Sequence, residues 1–148
     1  QLGWIDPWVV DRPGADFLRN AVRTRWLFRL YFYTGEMARP PRLEGEMPVV
    51  RSDWQWYGEH WVTTDAVLTG AWRIPGARRA ALFFVNVSDQ PVTLTYRLSR
   101  DSYGISAAEV SRGTVVNGLP SGTDQVALPL VEVLHFAPRQ VVAWELQW

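Results

Sequence analysis

Residues 51–61, RSDWQWYGEHW, hold the densest set of side chains in this chain that could do chemistry. Asp53 and Glu59 form its one local pair of carboxylates among aromatics. Hydrolysis of a glycosidic bond needs an acid and a nucleophile or base on either side of that bond. No motif fixes the geometry of these two, so both read as solvated loop carboxylates and no catalytic residue is assigned. His60 follows Glu59 and could line a cleft, although a surface or packed histidine is the simpler reading. The aromatics offer different chemistry. In an extended chain Trp54 and Trp56 share one face, with Gln55 and Tyr57 on the other. Facing outward, two indoles stack on sugar rings; facing inward, they fill the gap between a sheet and a bulky helix. The candidate sugar-binding set is therefore Trp54, Trp56, Tyr57 and Trp61, with Asp53, Glu59 and His60 beside them. Trp72, Trp144 and Trp148 also fall on predicted strands, so large aromatics look like general filling, which tilts the stretch toward packing.

Other chemistry is sparse. The chain has no cysteine, which removes disulfides, thiolate nucleophiles and cysteine-based zinc sites. His60 and His135 are the only histidines and neither sits in a ligand motif, so no metal site is predicted. His135 lies in the strand-like VEVLHF and reads as structural. There is no phosphate-binding glycine loop and no nucleophile elbow, and no cofactor is expected. Asn86-Val87-Ser88 matches a glycosylation sequon but falls inside a predicted strand, so the match reads as chance. Glu36, in the TGEM turn, is expected to bond backbone amides or pair with an arginine. Fifteen basic residues, all arginine, balance fifteen acidic ones, which gives no electrostatic case for nucleic acid or anionic lipid. No run approaches the roughly 20 apolar residues that span a bilayer. Gln1 opens the chain without a methionine or a signal-peptide pattern, so the chain reads as a piece whose targeting signal would lie elsewhere.

These side chains are positioned by two kinds of element. One helix is predicted over 14–33, started by Asp11 or the Pro13-Gly14 turn. Phe17, Leu18, Ala21 and Val22 share a face, with Arg19, Asn20 and Arg23 opposite. From Trp26 to Tyr33 apolar residues cover almost the whole circumference, and only Arg25 and Arg29 interrupt them. A helix apolar on every side needs two neighbours. Arg25 and Arg29 are expected to snorkel to water or reach carboxylates on a neighbouring layer, as interface residues. Thr34-Gly35 and Pro40-Pro41 end the helix. Strand patterns follow from residue 45: MPVV and the aromatic stretch, AVLTGAWRI, the apolar run Ala80 to Val87, and the alternating VTLTYRL. The last two are predicted to form a hairpin, and the apolar run a central strand covered on both faces. Further strands are expected around 106–116, 126–136 and 139–148, with Asn117-Gly118, Pro120-Ser121-Gly122 and Pro138 as punctuation. The fold class is mainly β: an antiparallel β-sandwich of about seven to eight strands with one long aromatic helix packed on it.

In that order, the helix, YFYTGEMARPPRL, ALFFVNVSDQPVTLTYRL and the closing VVAWEL resemble the carboxy-terminal region of bacterial glycoside-hydrolase-like proteins. In that family a (β/α)₈ barrel precedes a small antiparallel β-sandwich. The resemblance implies a last barrel helix and linker over 1–42 and a sandwich accessory domain over 43–148. It also implies a support role in a carbohydrate-active enzyme, in a bacterial protein either cytoplasmic or secreted. Barrel active sites sit on loops at the carboxyl ends of the barrel strands, which this chain does not contain, so no catalytic residue carries over. The expected partner is the missing catalytic barrel, or a second copy of the chain, meeting the helix at Trp26 to Tyr33. The alternative is a carbohydrate-binding module stacking sugar on the aromatic stretch, with carbohydrate itself as the partner. Neither a nucleic-acid nor a membrane partner is expected.

Overall fold

The computed structural model describes residues 11–53, 61–74 and 76–148. Two helices, α1 (Arg12–Leu27) and α2 (Arg29–Thr34), lead into eleven described strands. These are β1 (Glu36–Ala38), β2 (Leu43–Glu44), β3 (Val49–Asp53), β4 (Trp61–Asp65), β5 (Val67–Ile74) and β6 (Arg79–Asn86). The rest are β7 (Val92–Leu98), β8 (Glu109–Val116), β9 (Leu119–Ala127), β10 (Leu130–Phe136) and β11 (Val141–Gln147). A six-stranded antiparallel sheet runs β1-β5-β6-β11-β8-β9, a three-stranded one β10-β7-β2, and β3 and β4 pair as a separate ribbon. The helices lie on one face of the large sheet and the three-stranded sheet on the other, so the molecule is a β-sandwich with a helical layer.

Alternation along the strands feeds two cores. Leu82, Phe84, Trp144 and Leu146 point toward the small sheet and meet Tyr96, Leu98 and Phe136. Ala81, Phe83 and Ala143, their neighbours in sequence, point the other way and meet Phe28 and Tyr31. β6 is therefore covered on both faces, as its unbroken apolar run predicts, and β7 buries Val92, Leu94, Tyr96 and Leu98 as its alternation predicts.

The predicted hairpin between these two strands does not form. β6 pairs with β5 and β11, whereas β7 pairs with β10 and β2 in the opposite sheet. The turn after β6 crosses between sheets, and Asn86 holds it. Its amide donates to Gln90 O at 2.8 Å and Ala137 O at 2.9 Å, while its Oδ1 accepts from Ser88 N at 3.0 Å and Ser88 Oγ at 2.7 Å. Every hydrogen-bonding position of this fully buried side chain is used. The sequon at Asn86 is thus a corner of the sandwich.

The single helix predicted over 14–33 is broken at Phe28, which leaves helical geometry at φ −96°, ψ 14°. Thr24 bends its hydroxyl back onto Asn20 O at 2.9 Å, a habit that bends helices. Phe28 then drops onto Phe83, edge to face at 5.1 Å, and α2 starts afresh with Tyr31 and Phe32 toward the sheet. The start is as read: Asp11 Oδ1 accepts from Gly14 N at 2.7 Å.

Pro120-Ser121-Gly122, expected as punctuation, lies inside β9. Asn117 and Gly118 are the whole turn, both with positive φ (52° and 75°), the geometry of a tight two-residue hairpin. β9 tolerates Pro120 because it is an edge strand with a register shift beside it. Arg112 closes the opening between the sheets. It bonds Asp124 at 2.6 Å and Glu132 at 2.5 Å, with its guanidinium 4.5 Å from the centre of the Trp144 ring.

Candidate interaction surface

α1 crosses the large sheet at one point of very close approach. A Cβ placed on Gly118 would lie 2.4 Å from Arg23 Cβ and 3.2 Å from both Asn20 O and Thr24 N. Only glycine fits beneath the helix there, and Thr24 is the one fully buried residue of α1. α2 is tied down by Tyr31, whose phenol donates to Glu145 at 2.8 Å, while Arg79 bonds the same carboxylate oxygen. Burial, then the hydrogen bond and charge of Glu145, push the phenol above its ordinary range, so it stays protonated and acts as a fixed donor. A tyrosine, a carboxylate and an arginine could suggest acid–base chemistry, but here they staple helix to sheet.

With one side of the helical layer seated, the other side is open. Val22, Trp26, Leu27, Leu30 and Tyr33 are exposed, Trp26 to 65% and Tyr33 to 75%, values of free surface and not of a packed helix. The sheet extends the same face. Met37 pairs directly with Trp72, and directly paired residues share a face, so Met37 stands on the helical side and is exposed to 76%. Leu68, two pairs of residues along β5 from Trp72, is exposed on that side as well. Seven of the thirteen exposed large hydrophobic residues among the described residues thus lie on one side of the molecule. Apolar exposure gathered on one side makes this face a candidate interaction surface.

Arg25 and Arg29 sit within this face and not against a neighbouring layer of the chain. Arg25 lies 5.4 Å from the centre of the Phe32 ring and Arg29 5.3 Å from that of Trp26, and Arg29 also donates to Trp26 O at 2.9 Å. Together with Val22 and Tyr33 they line a shallow groove of about 200 Å³. Glu36 pairs with Arg73 at 3.3 Å, one register step from Met37 and Trp72 and so on the opposite face of the sheet.

Of the residues singled out for sugar binding, Trp54, Trp56, Tyr57, Glu59 and His60 lie outside the described residues. Asp53 ends β3 and its backbone pairs with Trp61, the first residue of β4. Trp61 is half exposed, with the Arg51 guanidinium 4.4 Å from its ring centre. Of the ribbon's residues whose burial is described, Val50 and Thr64 are partly covered and the others exposed. His135 lies on the outside of β10, 3.0 Å from the Thr93 hydroxyl. Among the described residues there is no group of three or more potential metal ligands, and no helix is long and apolar enough to cross a membrane. Sequence reasoning missed the Tyr31–Glu145–Arg79 staple and the Gly118 seat. The sole signal for either was the Asn117-Gly118 pair, a hairpin turn by composition.

No protein-family description matches this chain, and neither does any curated protein. Solved structures similar to parts of it include a Bacillus halodurans C-125 protein provisionally ascribed alpha-N-acetylgalactosaminidase activity, with 19% identity and a TM-score of 0.42. Another is a GH30 endoxylanase from Clostridium papyrosolvens C71, with 13% identity and a TM-score of 0.38. Each match covers 56% of this chain and only 18% and 20% of the respective structures.

Proposed function

We propose that this chain is a non-catalytic support domain of a carbohydrate-active enzyme, docked through its helical layer onto a catalytic barrel. The open apolar face at Val22, Trp26, Leu27, Leu30 and Tyr33 carries the reading. A helix shaped on one side to fit its own sheet and apolar on the other is made to lie between two bodies. Burying a large apolar side chain is worth about 1.5–3 kcal/mol, so these half-exposed residues together would contribute several kcal/mol to docking. In this arrangement 1–42 supplies the seam and 43–148 the sandwich behind it. The enzyme connection rests on the sequence resemblance alone. Reading the coding sequence that flanks this segment tests the proposal: a barrel of eight βα units in the same frame is the expected result, and flanking sequence without one overturns it.

The exposed Trp61 favours a second reading, a module that stacks sugar on Trp61 and the aromatic residues that precede it in sequence. Glycan-array binding by the chain, abolished by Trp61→Ala, would support that reading; an absence of binding by the intact chain would count against it.

A further inference from the structure

The open face carries charge as well as apolar surface. From Arg12 to Thr34 there are five arginines and one aspartate, and Asp16 is already bound to Arg19 at 2.5 Å. Among the described residues, Arg25 and Arg29 form no ion pair and lie on the rings of Phe32 and Trp26. A second copy docking by two-fold symmetry would set this patch against itself. Arg25 and Arg29 of each copy would then be gathered around one seam with no carboxylate of the helices left to answer them. Like charges brought together in this way select against a partner.

We infer that the face is built for a protein surface that carries carboxylates beside its apolar residues, and not for a second copy of the chain. This rests on the support-domain reading and adds the chemistry of the partner to it. The two guanidinium groups already lie over Phe32 and Trp26, at 5.4 and 5.3 Å from the ring centres, so less freedom is lost when each meets a carboxylate through its planar fork. The apolar residues would supply most of the affinity, and the arginines the choice of partner and its register.

Sedimentation velocity on the full chain tests this, with an Arg25→Glu/Arg29→Glu variant as the carboxylate-bearing probe. Both positions are exposed, and circular dichroism checks that the variant folds. In low salt the wild-type chain is expected to be monomeric. An equimolar mixture with the variant should associate about tenfold more tightly than either protein alone, and lose that advantage at about 1 M salt, where screening acts within about 3 Å. A wild-type dimer in low salt would make the second copy the occupant and overturn the inference. A mixture no tighter than its components, or one indifferent to salt, would also overturn it. A barrel found in the flanking sequence together with a failed mixture would leave the support-domain reading standing and remove only the inferred carboxylates. A successful mixture without a flanking barrel would do the reverse.

Discussion

Gly118→Ala is the sharpest test of how the helical layer is seated. Gly118 has φ +75°, a conformation that costs an L-residue about 1–2 kcal/mol. The new methyl would also sit 2.4 Å from Arg23 Cβ, with backbone atoms of Asn20 and Thr24 at 3.2 Å, so α1 must lift from the sheet. Overpacking of that kind costs about 1–3 kcal/mol more. The expected loss is therefore about 2–5 kcal/mol, which at a urea dependence of about 2 kcal/mol per molar lowers the midpoint by about 1–2.5 M. Gly104→Ala is the control. Its φ is +71°, but nothing lies within 4 Å of the added methyl, so it should show only the backbone loss of about 1–2 kcal/mol. Equal losses in the two variants would mean that α1 does not rest on the β8–β9 turn, and the assignment of an inner and an outer helical face would fall with it.

Three further outcomes follow from the same geometry. Asn86→Ala leaves Ala137 O and Ser88 N without their partner, and at about 1–3 kcal/mol for each unsatisfied group should destabilise the chain by about 3 kcal/mol in urea unfolding; intact mass after expression in a glycosylating host should show no glycan at Asn86. Tyr31→Phe removes the donor to Glu145 while Arg79 remains, so a loss of about 1–2 kcal/mol is expected, and no loss would discount the staple. Hydrogen bonds from Arg112 hold the Asp124 carboxyl below its ordinary range, and Arg139 does the same for Asp89. The folded state then binds fewer protons in acid than the unfolded chain, so this stabilisation is present above about pH 4 and lost as the pH falls below it. Arg112→Ala should flatten the fall of the melting temperature in acid.

The two faces of β6 were legible in the sequence because an unbroken run such as AALFFVNV has no wet side. The partner of β6 was not legible. Adjacent strands usually pair, and nothing in Ser88-Asp89-Gln90-Pro91 distinguishes a hairpin turn from a crossing between sheets. Only the four bonds of Asn86, made to residues far along the chain as well as near, reveal the crossing. Pro120 and Gly122 hid β9 because turn residues are also what an edge strand can carry. The break at Phe28 left no trace, since phenylalanine is tolerated in a helix and the bend comes from tertiary contact with Phe83. The surplus of apolar surface on the helices was the most legible feature. The ring of apolar residues from Trp26 to Tyr33 required two neighbours, and the sandwich covers only the side bearing Phe28 and Tyr31. Which residues stay open depends on where α1 touches the sheet, and that is set by the space above Gly118.

Carbene footprinting of the chain alone and in complex with a catalytic barrel tests the central claim most directly. Trp26, Leu30 and Tyr33 should be labelled strongly in the free chain and lose most of that labelling in the complex, while Val131 and Val133 on the small sheet stay unchanged. Equal labelling of the three helical residues in both states would contradict the account.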